Sequence, residues 1–214
     1  MTKLILVRHG QSEANVTQRF AGNYNCDLTE YGLSQAERLS EYLAENFSID
    51  KIYSSDLNRA YSTALPTAEK LGLDIEKDSN LREISSGLWE GMSFSDILEK
   101  YRANYEVWLT DIGNAQCNGG ESVKDLYNRV CREITKIAQE NNERTVLIAT
   151  HATPIRVFQT FVEKGDVTFA RDYQWVPNCS VTVCNYENGK FEFEQIGYND
   201  YLNELKTKLP IGIV

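Results

Sequence analysis

Apolar residues along this chain follow two rhythms. Short continuous runs, Leu4 to Val7, Ile52-Tyr53 and Thr145 to Ala149, stop abruptly at polar residues and predict strands buried on both faces. Between them the spacing turns helical. Leu33, Ala36, Leu39, Tyr42 and Leu43 predict a helix capped by Thr29 and running to about Asn46. Leu57, Ala60, Ala64 and Ala68 predict a second, capped by Ser55 or Asp56, ended by Gly72, with Pro66 as a point of bending. Ser93 and Ser122 stand as caps of two more, the second reaching about Glu140, and Pro154 opens another with Ile155, Val157, Phe158 and Phe161. Ser180 to Tyr186 and Phe191 to Ile196, joined through Glu187-Asn188-Gly189-Lys190, predict a hairpin.

Strands alternating with helices imply an α/β fold, a three-layer α/β/α sandwich around a mostly parallel central sheet. The 214 residues fit one domain. In its tail, 197–214, Tyr198, Tyr201, Leu202, Leu205 and Leu209 predict a packing helix. Ligands of such sheets gather at the carboxyl ends of the strands. Both histidines of the chain, His9 and His151, follow predicted central strands at that edge. Arg8 precedes the first, and Arg59 opens the helix after Ile52-Tyr53. Two imidazoles and two guanidinium forks in one pocket suit the oxygens of a phosphate group. Arg19 and Arg38 read as ordinary surface ion pairs.

The global charge sharpens this reading. With 22 Lys+Arg against 31 Asp+Glu the net charge is −9, so nucleic acid and anionic membrane surfaces are excluded as general partners. An anion can bind only in a local nest of positive groups. Five cysteines (Cys26, Cys117, Cys131, Cys179, Cys184) form no C-x-x-C pair, so reduced thiols and no metal site are expected. The first apolar run is too short for a signal-peptide core, no stretch approaches a membrane span, and a cytoplasmic setting is expected.

Leu6-Val7-Arg8-His9-Gly10-Gln11-Ser12-Glu13-Ala14-Asn15 resembles the R-H-G signature of the histidine phosphatase superfamily, the phosphoglycerate-mutase-like proteins. The likeness continues in family order through Asp27 to Ala36, Tyr53 to Ala60, Leu81 to Gly91, Gly119-Gly120-Glu121-Ser122, Ala149 to Ala152 and Asn178 to Thr182, spanning residue 4 to about 196. It implies His9 as a nucleophile whose neutral imidazole forms a phosphohistidine, its other nitrogen donating to a backbone carbonyl. Arg8, Arg59 and His151 would hold the non-bridging oxygens, with Asn15 as a neutral donor and no metal or other cofactor. Glu83 is the implied general acid, later the base that activates water. Gln11 and Ser12 either donate to the phosphate or only shape the turn, and Ala152 joins the substrate-binding positions. Asn23, Tyr24 and Trp89 are candidates for the leaving-group pocket, with core packing the open alternative for the aromatics. Glu121-Ser122 is either a ligand contact or a helix cap.

The expected activity is hydrolysis of a small phosphorylated metabolite. The main alternative is a cofactor-dependent mutase. Those proteins read Ser-Glu-Trp-Asn, Phe-Thr-Gly-Trp and an acid followed by Arg-His-Tyr-Gly. This chain has Ala14, Ala21-Gly22-Asn23 and Ile84-Ser85-Ser86-Gly87 there. Its Glu-x-x-x-Gly-x-Trp-Glu-Gly context is similar to the phosphatase branch, including α-ribazole and broad-specificity phosphatases. A non-catalytic phospho-ligand module is the third alternative, disfavoured by the presence of His9, Glu83 and His151 together. Homo-oligomerisation stays open.

Overall fold

The computed structural model describes residues 1–208, so Leu209 of the predicted tail helix lies outside the described residues. In chain order the elements are β1 (Thr2–Arg8), α1 (Glu13–Val16), α2 (Glu30–Asn46), β2 (Lys51–Ser54), α3 (Asn58–Leu71) and β3 (Ile75–Lys77). There follow α4 (Phe94–Lys100), α5 (Arg102–Thr110), α6 (Val123–Glu140), β4 (Thr145–Thr150), α7 (Ala152–Glu163), β5 (Val181–Glu187) and β6 (Lys190–Tyr198). The strands form one six-stranded sheet in the order β3-β2-β4-β1-β5-β6. β3, β2, β4 and β1 are parallel, β5 runs against β1, and β6 runs against β5. Only β5 is reversed, and the sheet is mostly parallel.

Period-2 alternation explains why the central runs are apolar throughout. Leu4, Leu6, Val146 and Ile148 face one layer, against Ile134 and Ile137 of α6 and Val157 and Phe158 of α7. Ile5, Val7, Leu147 and Ala149 face the other, against Leu39 and Leu43 of α2 and Ala64 and Ala68 of α3. Each fully buried Leu, Ile or Val adds roughly 1.5–3 kcal/mol of transfer free energy, so a charge at any of them would break the layer. The architecture is an α/β/α sandwich.

Local chemistry explains most element ends. Thr29, Ser93 and Ser122 cap α2, α4 and α6 by accepting from backbone amides three residues on, and Gly72 ends α3 at φ 66°. The cap of α3 is a correction. Leu57 occupies it, because Ser55 is engaged with His151 and Asp56 with Arg82. The helix also continues through Pro66. The tail forms short 3-10 turns over Asp200–Leu205 rather than a regular helix, since Asn203 breaks it at φ 50°. It still packs, with Leu202 buried and Tyr201 stacked on Tyr42 at 4.4 Å between ring centroids.

Candidate active site

β1 and β4 pair with Arg8 opposite Thr150, so His9 and His151 leave the sheet side by side. Their ring centroids lie 5.2 Å apart. The loop after β1 turns tightly against α2: a Cβ on Gly10 would come within 2.7 Å of the Gly32 carbonyl oxygen, so that position tolerates only glycine. His9 Nδ1 sits 2.7 Å from the Gly10 carbonyl. A carbonyl can only accept, so Nδ1 carries the proton and Nε2 keeps its lone pair. The second imidazole is held differently. His151 Nε2 meets Ser55 Oγ, just beyond β2, at 2.9 Å, which leaves Nδ1 buried and without a protein partner.

The two arginines are aimed by main-chain oxygens. Arg8 donates to the Val176 carbonyl at 2.6 Å, and Arg59 to the carbonyls of Gly22 (2.7 Å) and Tyr24 (3.0 Å). That leaves Nε of both guanidinium groups buried and unpaired. A buried guanidinium N–H left unsatisfied costs about 1–3 kcal/mol, and both arginines line one cleft. Arg8, His9, Ser12, Asn15, Arg59, Glu83, Ala152 and Thr153 line the cleft there. Asn15 Oδ1 accepts from Ser12 and Asn178, so its NH2 group is the part available to an anion.

Burial, reinforced by Arg59 and Arg8, pushes the His9 pKa well below the ordinary imidazole value. His151 is depressed by burial, Arg59 and His9. Both rings are therefore neutral near pH 7. Desolvation lowers Arg8 to about 10, and it remains charged. Glu83 moves the other way: burial raises its pKa, against amide hydrogen bonds from Ile84 (2.8 Å) and Thr153 (3.3 Å). The cleft thus pairs an imidazole kept neutral by burial with a carboxyl whose pKa burial raises.

Other predicted positions fall outside the cleft wall. Trp89 is fully buried one layer behind it, edge-on to Phe20 and Tyr105, with its indole N–H on Asn118 at 3.1 Å. A buried tryptophan needs that partner, and Asn118 lies inward. Asn23 and Tyr24 act through their backbone. The Glu90 carboxylate accepts from the amides of Asn23 (3.0 Å), Tyr24 (2.5 Å) and Ser86 (2.8 Å), which turns the Gly22 and Tyr24 carbonyls onto Arg59. Gly22 must be glycine there, at φ 50° and with a Cβ due 2.1 Å from Ser86 Oγ. Gln11 accepts from Thr29 Oγ1 at 2.9 Å and shapes the turn. Ser122 is a cap, and Glu121 pairs with Arg129 at 2.8 Å instead of reaching the cleft.

Several residues escaped sequence reasoning. Phe20, Phe94, Trp108 and Trp175 form the aromatic side of the cleft. Arg19 lines it too, donating to Gly91 O at 2.6 Å and not to a carboxylate. Arg129 donates to the carbonyls of Asn80 (2.8 Å), Arg82 (3.2 Å) and Glu83 (3.2 Å), so it carries the segment that presents Glu83. Asn178 holds the His9 carbonyl at 2.9 Å. For Arg129, the only hint was a basic residue on a polar helix face.

Residues 4–199 match the family model described as "Histidine phosphatase superfamily (branch 1)". The chain is 38% identical over 156 residues to "Phosphoserine phosphatase 1" of Hydrogenobacter thermophilus, covering 73% of this chain and 74% of that protein. It is 28% identical over 189 residues to "Metal-independent phosphoserine phosphatase" of Arabidopsis thaliana, covering 82% and 79%. Among solved structures, "Bacillus stearothermophilus YhfR" superposes with a TM-score of 0.90 at 27% identity, covering 95% of this chain and 100% of that one.

Proposed function

This chain belongs to the histidine phosphatase superfamily, and from that premise we propose that it hydrolyses phosphoric monoesters without a metal, through phosphate held on His9. The observation that carries this reading is the pair of buried guanidinium groups with unpaired Nε–H, Arg8 and Arg59, lining one cleft with His9, whose Nδ1 is held by the Gly10 carbonyl, and with the second buried imidazole, His151, 5.2 Å from the first. The Nε2 lone pair attacks phosphorus and the bond to the ester oxygen breaks. Glu83 gives its proton to that oxygen, and an alcohol leaves. Water then attacks the phosphohistidine, Glu83 takes the proton, and inorganic phosphate departs with His9 neutral again. Charge developing on the equatorial oxygens meets fixed donors that cost no reorganisation.

Relatives named for phosphoserine support a small phosphorylated metabolite as substrate. The five buried free thiols support a reducing, cytoplasmic setting. No helix among the described residues is long and apolar enough to cross a membrane. The test is rapid quenching with radiolabelled phosphomonoester in excess EDTA. An acid-labile, base-stable phosphoenzyme, absent in His9→Ala, is expected. Label on another residue, or activity that only Mg²⁺ or Zn²⁺ restores, sinks the reading.

A further inference from the structure

Behind the aromatic side of the cleft lies a second concavity between the end of α5, α7 and the 3-10 turns of Val167–Asp172. Trp108 and Trp175 belong to both, so they form a shared wall. Arg156 of α7 lies against it, its guanidinium carbon 4.5 Å from the Trp175 ring centroid. This side chain is 8% exposed, and it donates from Nε to the Ala170 carbonyl at 2.8 Å. Among the described residues no carboxylate lies within ion-pair distance of it. Burial lowers its pKa to about 10, with no neighbouring acid offsetting the shift. Arg171 lines the same concavity, and its carboxylate contacts are long: Asp111 at 3.8 Å and Asp172 at 3.9 Å. Thr110, Tyr173 and Gln174 complete the polar side.

A desolvated, unpaired cation is costly unless something compensates it. Here the chain carries a net −9, yet none of the described residues supplies Arg156 with a carboxylate. We propose that Arg156 and Arg171 form a second oxyanion site, separate from the Arg8–Arg59 pocket, which takes a carboxylate or phosphate group beside Trp175. The site adjoins the chemistry on two sides. Trp175 lines the cleft, and the next residue, Val176, supplies the carbonyl that holds Arg8. The oxyanion is either the far end of the substrate or a free small anion that acts on the cleft through Trp175.

The probe is malonate, titrated calorimetrically into the full chain and into Arg156→Met and Arg171→Gln. Wild type is expected to bind it, and each variant to bind roughly tenfold or more weakly. Arg171 is 59% exposed, so Arg171→Gln leaves folding and the KM for p-nitrophenyl phosphate unchanged. That decides the question even where Arg156→Met fails to fold. Kinetics identify the source. If the substrate brings the anion, Arg171→Gln raises KM for a carboxylated aryl phosphate alone. If a free anion binds, malonate alters p-nitrophenyl phosphate turnover in wild type and loses that effect in Arg171→Gln. No malonate binding to wild type, or equal affinity in all folded proteins, overturns the site. The titration needs no turnover, so failure of the proposed hydrolysis would leave it readable.

Discussion

The two ends of the cleft are built by different means. At the end lined by Arg8, His9 and Arg59, polar side chains from the end of β1, the loop after it and the first turn of α3 are aimed by backbone carbonyls: Arg8 by Val176, Arg59 by Gly22 and Tyr24, His9 by Gly10. Main-chain acceptors are fixed by the fold and cannot titrate, so the donors stay directed as pH changes. At the other end the wall is Phe20, Phe94, Trp108 and Trp175, contributed by loops, α4 and α5. These touch one another mainly by ring packing, as Phe20 does Trp108 at 5.0 Å and Trp108 does Trp175 at 6.1 Å. The first end is specific by direction, the second by shape. This difference predicts that the aromatic end tolerates substitution without loss at the polar end.

Substitutions can break or sharpen this contrast. The largest effect is expected for His9→Ala, which should cost roughly 10⁴-fold or more in turnover on every ester. Residual turnover with trapped label would place the nucleophile elsewhere. Glu83→Gln comes next: phosphoenzyme formation should fall roughly 10²–10⁴-fold with an alkyl phosphate and much less with p-nitrophenyl phosphate, whose leaving group needs no proton. Equal single-turnover losses would remove Glu83 as the acid.

Arg129→Met should cost about 10–10²-fold in kcat by releasing the Glu83 segment, with KM nearly unchanged and partial recovery in Arg129→Lys. A matching fall in every pH limb, unrelieved by lysine, would make Arg129 merely structural. Trp175→Ala should raise KM for aryl phosphates roughly 3–10-fold while leaving phosphohistidine hydrolysis at its wild-type rate. Slower hydrolysis would mean the two ends are not independent.

The smallest effect concerns stability. Both histidines have folded pKa values below the unfolded 6.5, so the unfolded chain binds more protons and stability falls as pH drops below that value. Thermal unfolding from pH 7.5 to 5 should show a shallower slope in His151→Asn. An unchanged slope would show that the buried rings are not the cause.

The same contrast governs what the sequence disclosed. The strand runs were legible because burial on both faces demands unbroken apolar residues, and the abrupt polar stops marked His9 and His151. α5 was missed because its helical face is weakly patterned, and β3 because it is a three-residue edge strand with little burial. Arg129 and Glu90 work through backbone amides and carbonyls, which no residue spacing encodes. For Trp89 the sequence leaves pocket and core both open, and the structure packs it behind the cleft wall. A lone tryptophan carries no sign of which layer it enters, and Trp175, which does face the cleft, looked no different.

The His9 loop is closed by partners from the far end of the chain: Arg8 reaches Val176 across 168 positions, and Asn178 holds the His9 carbonyl across 169. The Tyr201 hydroxyl in turn secures the Cys179 carbonyl. A ribosome therefore makes His9 long before the residues that anchor it. Closing so long a loop is slow and entropically unfavourable. A nascent chain that has passed β4 already has both histidines, yet Arg8 has no acceptor and the donor cradle is unformed. The arrangement of Arg8 and His9 is therefore completed only once Val176 and Asn178 have been made.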